Sequence, residues 1–184
     1  VEAHGSNWNE ADALARSVVD ADPAAAYVPP YEHPLLWEGH SSIVDELETA
    51  GSSPPLPSPI PARERAISRT RRAGCRPGAI VASVGGGGLA CGVLTGLKRH
   101  GWDGTTLVTA ETDGADCFAR ARAAGGPVRL DAITSVATSL GALECSPTAL
   151  DLAASHPTRS AVVTDAEAID ACLRLADDHR TLVE

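Results

Sequence analysis

Residues 79–98, AIVASVGGGGLACGVLTGLK, decide how this chain folds. Ala79 to Val84 is a run of small or branched residues that passes directly into four consecutive glycines, Gly85 to Gly88. Leu89, Val93, Leu94 and Leu97 then fall at helical spacing, so the segment reads as strand, loop and helix. Glycines at such a junction let the backbone turn tightly. They also leave amide hydrogens unobstructed at the positive end of the helix dipole. A loop of this kind suits an anion, and most often a phosphate.

Spacing narrows which phosphate. The lysine-containing triphosphate loop is excluded, because Gly87 and Gly92 lead into Val93 and Leu94 where that loop needs Lys and Ser or Thr. The dinucleotide fingerprint survives. Gly85, Gly87 and Ala90 satisfy G-x-G-x-x-A after a strand, and Glu111 ends the next strand at about the ribose-binding distance. A nicotinamide enzyme therefore stays open on spacing, as does a loop whose glycines serve only close strand-to-helix packing. Phosphate binding is the reading that four glycines in a row favour.

The 184 residues, 43% hydrophobic and 21% charged, suffice for one sizeable core. A net charge of -9 and a pI near 5.1 exclude nucleic acid and anionic membrane as partners on electrostatic grounds. Cys75, Cys91, Cys117, Cys145 and Cys172 are well separated and form no C-x-x-C pair, the pattern of reduced thiols in a cytoplasmic protein. The sequence has no methionine, so an internal fragment of a longer chain is expected. Lys98 is its single lysine, which limits lysine chemistry to one position.

Taken in order, Asn7 and Glu10 resemble a capping box, and Trp8, Ala11, Leu14, Ala15, Val18 and Val19 form one helical stripe ending near Asp22-Pro23. Ala25 to Val28 reads as a short strand stopped by Pro29 and Pro30, and Tyr31 to Pro34 as a loop. Ile43, Val44 and Leu47 make Trp37 to Glu48 helical, with His40 as a hydrogen-bonded structural residue. Residues 49–76 then change character. The prolines from Pro54 to Pro61 prevent helix or sheet, and an arginine-rich run from Arg63 to Arg76 opposes the charge of the rest. A solvated insertion is the expectation there.

Beyond the glycine loop, Thr106 to Ala110 is a strand, Ala115 to Ala124 a helix closed by Gly125-Gly126, and Ile133 to Ala142 a small, polar segment suited to lining a site. Ser146-Pro147 opens another helix. Ala161 to Val163 reads as a buried strand. Thr164 and Glu167 then cap a helix with Ile169, Cys172, Leu173 and Ala176 inward. Strands alternating with helices predict an α/β fold: an open, mostly parallel sheet wrapped by helices, with ligands at the carboxyl ends of its strands.

Several of these stretches occur together in one family. YVPPYEHPLLWEGHSSIVDEL, SVGGGGLACGV, AETDGAD, ITSVATSLGA and the terminal LVE closely resemble the eukaryotic L-serine dehydratase / L-threonine deaminase family of fold-type-II pyridoxal-phosphate enzymes. The resemblance runs over most of the chain in the same order. It implies that residues 1–30 are a remnant of the small subdomain and residues 31–184 the large cofactor-binding domain, with an insertion at 49–76.

By the same resemblance, Gly85, Gly86, Gly87, Gly88 and Leu89 cradle the phosphate of pyridoxal 5'-phosphate. Tyr31 and Ser139 fall near the substrate. A monovalent cation, potassium in most of the family, is held at Gly85, Glu111, Ala115, Leu140 and Ala142. A carboxylate among backbone carbonyls suits an ion that needs many oxygens and little counter-charge. Without the resemblance, Glu111 reads equally as a helix-capping carboxylate.

The implied activity is dehydration and deamination of L-serine to pyruvate and ammonia, and of L-threonine to 2-oxobutanoate, by a cytoplasmic homodimer acting on a small amino acid. The lysine that carries the cofactor lies upstream of this sequence; Lys98, on the outer part of a helix, does not match it. A nicotinamide-dependent oxidoreductase and a non-catalytic fragment with a basic partner-binding loop are the rival readings.

Overall fold

A computed structural model describes residues 3–5, 7–52 and 76–183. The proline- and arginine-rich stretch anticipated between 53 and 75 lies outside the described residues. Helices α1 (Trp8–Ala21) and α2 (Pro34–Ser52) come first. Strand β1 (Ala79–Ser83), α3 (Gly88–Arg99), β2 (Thr106–Thr112) and α4 (Cys117–Ala124) follow. A single 3-10 turn at Thr138–Leu140, α5 (Pro147–Ala154), β3 (Thr158–Val163) and α6 (Asp165–His179) complete the order.

The three strands form one parallel sheet in the order β1-β2-β3. Ala79 lies opposite Thr106 through to Ser83 opposite Ala110, and Leu107 lies opposite Thr158 through to Thr112 opposite Val163. Alternation along these strands puts Ile80, Ala82, Leu107, Thr109 and Glu111 on one face. Ala82, Leu107, Thr109 and Glu111 are buried. That face joins a single core with Val93, Leu94 and Leu97 of α3, Phe118 and Ala121 of α4, and Ala149 and Ala153 of α5. The other face is open among the described residues, with Val81 69% exposed.

Glycine sets how α2 meets α3. Gly88, Gly92 and Gly96 are four residues apart on α3; Gly92 and Gly96 lie against α2, and Gly88 lies against Tyr31, just before it. A Cβ on Gly92 would sit 3.0 Å from the Trp37 carbonyl oxygen, and one on Gly96 would sit 2.8 Å from the Ser41 carbonyl oxygen. The two helices approach backbone to backbone, with Val44 fully buried between them. At the far end Arg99 donates to Asp45 (3.0 Å) and Glu38 (2.8 Å), and the His100 ring bonds Asp45 at 2.6 Å.

Local signals give most of the helix boundaries. The Asn7 side chain accepts from the Glu10 amide at 3.1 Å. The Ser146 hydroxyl accepts from the Ala149 amide at 3.0 Å, and Thr164 with Glu167 closes a complete capping box. Helix α2 begins three residues earlier than the apolar spacing indicates, at Pro34. Proline suits a first helical position, and the His33 ring nitrogen accepts from the Leu35 amide at 3.2 Å.

Three expectations are corrected. Ala25–Val28 pairs with no described strand. Residues 161–163 belong to the longer strand β3, which is an edge of the described sheet and largely exposed. The apolar stripe of α6 faces outward, with Leu173 62% exposed. In all three, periodicity identifies an apolar face but not whether another element covers it.

Candidate functional site

The glycine loop leaves β1 at the carboxyl edge of the sheet and enters α3. Its carbonyls are occupied: Gly86 accepts from the Ser146 amide at 2.8 Å, and Gly87 accepts from the Cys91 amide at 2.9 Å. Its amides are not. The N–H groups of Gly85 through Ala90 have no acceptor among the described residues. They lead into the first turn of a twelve-residue helix, where aligned donors and the helix dipole favour a negative charge.

Side chains at the loop would destroy it. Gly87 has φ +98, the left-handed region, and a Cβ there would lie 2.8 Å from that of Ala149. A Cβ on Gly86 would strike the Tyr31 ring, and one on Gly88 would lie 2.9 Å from the Tyr31 Cα. The loop is thus held between Tyr31 on one side and the start of α5 on the other. Tyr31 is itself fixed, since its carbonyl accepts from the Trp37 indole N–H at 2.7 Å and its ring meets Trp8 at 5.2 Å between centroids. Burial pushes the Tyr31 hydroxyl up to about 12, so it stays protonated at neutral pH.

These groups surround an open cavity of about 420 Å³, lined by Gly85 to Leu89, Tyr31 and His40, and by Thr138 to Ala142. Its size suits a small ligand with one phosphate. Ser139 lines this cavity together with the glycines. The His40 ring makes no hydrogen bond among the described residues; its Cβ packs on Gly92. The sequence signal for His40 was its position in a helix bearing an apolar stripe, which predicts a structural, hydrogen-bonded residue rather than a cavity wall.

Of the residues matched to a cation, Gly85, Leu140 and Ala142 lie together at the cavity. Gly85 and Leu140 meet, since a Cβ on Gly85 would lie 3.1 Å from the Leu140 carbonyl oxygen. Ala142 lies on the same wall. Ala115 and Glu111 are buried near Cys117, whose thiol donates to the Gly85 carbonyl at 3.6 Å. Glu111 is only 1% exposed. One carboxylate oxygen accepts from the Phe118 amide and the other from the Ala119 amide, both at 2.9 Å. Burial pushes its carboxyl up to about 7, against the opposing pull of those two amides.

Glu111 therefore caps α4 from the neighbouring strand. It does not line the cavity at the glycine loop, so it is not placed as the acidic partner that a dinucleotide site requires. Lys98 is exposed in the last turn of α3, away from the glycine end of that helix. The thiols of Cys91, Cys117 and Cys145 are free and buried. Burial pushes Cys91 up to about 12. Hydrogen bonding with Cys145, then burial, pushes Cys117 upward too. Neither Cys91 nor Cys117 is a nucleophile at neutral pH on that account, whereas hydrogen bonding with Cys117 pulls the Cys145 thiol downward against its burial.

Comparison with known proteins identifies the family. The family model described as pyridoxal-phosphate dependent enzyme matches residues 1–184. The chain is 40% identical to human L-serine dehydratase/L-threonine deaminase, covering 100% of this chain and 49% of that protein. It is 34% identical to an L-serine dehydratase of Dictyostelium discoideum, covering 100% of this chain and 48% of the relative. A crystal structure of a fungal L-serine ammonia-lyase from Rhizomucor miehei superposes with a TM-score of 0.80 at 34% identity, over 98% of this chain and 50% of that one. The chain spans about half the length of the curated relatives it matches.

Proposed function

Because the chain belongs to the pyridoxal-phosphate-dependent enzyme family, we propose that it supplies the phosphate-holding part of a lyase that dehydrates and deaminates L-serine, and L-threonine, to the 2-oxo acid and ammonia. One observation carries the reading: the amides of Gly85 to Ala90 stand without acceptors at the start of α3, in a loop where a Cβ at Gly86, Gly87 or Gly88 would collide with its neighbours. These residues fit pyridoxal phosphate. The cofactor, when bound, supplies an electron-withdrawing ring that stabilises negative charge at the substrate's α-carbon.

The chain's own contribution is to bind and orient. Amides 85–90 hold the phosphate and so fix where the rest of the cofactor lies. Tyr31, protonated and fixed by Trp8 and Trp37, closes one side of the cavity and shields the loop from water. Ser139 lines the same cavity and is the hydroxyl we assign to the substrate side. The lysine that reacts with the cofactor is assigned to polypeptide outside this sequence, since Lys98 points to solvent.

The reading extends to a monovalent cation beside the cofactor. Glu111 supplies the charge, and the carbonyls of Gly85, Ala115, Leu140 and Ala142 supply neutral oxygens, a composition suited to potassium. A homodimer in the cytoplasm is part of the same reading, and the free thiols of Cys91, Cys117, Cys145 and Cys172 accord with a reducing compartment. The direct test is to express the full-length protein, add pyridoxal phosphate and L-serine, and measure pyruvate. Pyruvate released in proportion to enzyme and cofactor supports the reading, and none, with a nicotinamide cofactor active instead, overturns it.

A further inference from the structure

The cavity wall at residues 138–142 contains one short 3-10 turn and touches the glycine loop at Leu140, whose carbonyl oxygen would lie 3.1 Å from a Cβ on Gly85, so its placement sets the shape of the cavity. Its anchor lies three residues earlier, in a partly buried chain of hydrogen bonds. The Ser135 hydroxyl donates to Asp165 at 2.6 Å. Having spent its proton there, Ser135 can only accept from the Thr112 hydroxyl at 2.7 Å, which fixes the direction of that contact. The Ala137 amide donates to the same Ser135 oxygen at 3.0 Å, and the Val136 amide donates to the second Asp165 oxygen at 3.0 Å.

Each partner comes from a different element. Thr112 is the last residue of β2, Asp165 is the first residue of α6, and Ser135 to Ala137 lead into the cavity wall. Thr112 and Ser135 are buried. Asp165 is free to serve the loop because Thr164 and Glu167 already form the capping box of its helix. Its carboxylate accepts from one hydroxyl and one backbone amide of the loop. Charge-assisted bonds of this kind are about twice as strong as neutral ones.

The geometry points to Asp165 as a positioning residue: through Ser135 and the Val136 amide it sets the place of residues 138–142, and so of Ser139, at the cavity beside the glycine loop. The inference rests on the lyase reading only for the identity of what Ser139 faces. An asparagine at 165 cannot replace the carboxylate without rearrangement. If its oxygen accepts from Ser135, its NH2 group confronts the Val136 N–H; if it is flipped, the Ser135 hydroxyl must turn away.

The test uses the full-length protein with pyridoxal phosphate bound and compares wild type with Asp165→Ala, Asp165→Asn and Thr164→Ala. Thr164→Ala is the control, because it weakens the start of the same helix without touching the relay. Two quantities are read: amide hydrogen exchange over residues 136–142, and the Michaelis constant for L-serine against the turnover number and the cofactor dissociation constant. Loss of a charge-assisted anchor predicts exchange about tenfold faster over 136–142, and a Michaelis constant raised about tenfold with little change in cofactor affinity, for both Asp165 variants.

Thr164→Ala is expected to change neither quantity while lowering thermal stability. Unchanged exchange over 136–142 in the Asp165 variants, or the same change in Thr164→Ala, overturns the proposal. Should Asp165→Ala fail to fold, Asp165→Asn carries the comparison. A wild-type protein that makes no pyruvate while the Asp165 variants still loosen 136–142 refutes the lyase reading and supports the positioning role.

Discussion

Gly86 shows how one missing side chain can define a site. Its amide belongs to the unpaired row, its carbonyl is tied to Ser146, and the space beside its Cα is filled by the Tyr31 ring. Gly86→Ala must therefore displace Tyr31 or the loop, at the roughly 1–3 kcal/mol typical of overpacking. The expected outcome is about a tenfold or greater loss of affinity for pyridoxal phosphate, read by fluorescence titration, in a protein that remains folded. Glu111 gives a prediction in pH. Its carboxyl is raised from 4.5 to about 7 by burial, so the folded chain keeps a proton that the unfolded chain has lost. Stability is then expected to fall as pH rises from about 4.5 to about 7 and to level off above that, as far as this group is concerned. Denaturant midpoints across that range check it, and Glu111→Gln should remove the slope. Potassium, if Glu111 helps to hold it, should restore stability above pH 7 where tetramethylammonium does not. The glycine run was legible in the sequence because it is contiguous. The partners of Gly86 and Glu111 were less so: Tyr31 lies far upstream of the loop, and Glu111 could be read as a helix cap without any sign of which helix it caps.

At the scale of elements, α3 is the organising piece, since its first turn carries the proposed anion site and its glycine edge receives α2. Gly92→Ala would press a methyl group against His40 and the Trp37 carbonyl oxygen, and the expected cost is about 1–3 kcal/mol in urea unfolding. Gly39→Ala is the contrasting case. Gly39 lies within α2 with nothing within 4 Å of a new Cβ, so alanine should stabilise by about 0.5–1 kcal/mol through helix propensity. Opposite signs from the same substitution in two packed helices would confirm that close approach, rather than glycine flexibility, keeps Gly92. Thr164→Ala should cost about 1 kcal/mol through the lost cap. The capping boxes were legible because their partners lie three residues apart. The inward face assigned to α6 was misread because Ile169, Cys172 and Leu173 have helical spacing whether or not anything covers them.

For the molecule as a whole, strands alternating with helices specified a parallel α/β sheet before any coordinates. What lay beyond reach was the covering of each face: one face of the sheet and the stripe of α6 are open among the described residues. The chain also spans about half the length of its curated relatives. Full-length protein carrying Lys98→Arg is accordingly expected to form pyruvate from serine at the wild-type rate, because Lys98 is exposed and remote from the loop; loss of cofactor attachment in that variant would contradict the assignment. The central claim, that the amides from Gly85 to Ala90 grip a phosphate, is tested most directly by amide NMR of the full-length protein titrated with pyridoxal phosphate and, separately, with pyridoxal. The account predicts that the amide resonances of residues 85–90 shift with pyridoxal phosphate and not with the phosphate-free aldehyde. Shifts that are equal for both ligands, or that leave residues 85–90 untouched, would contradict it.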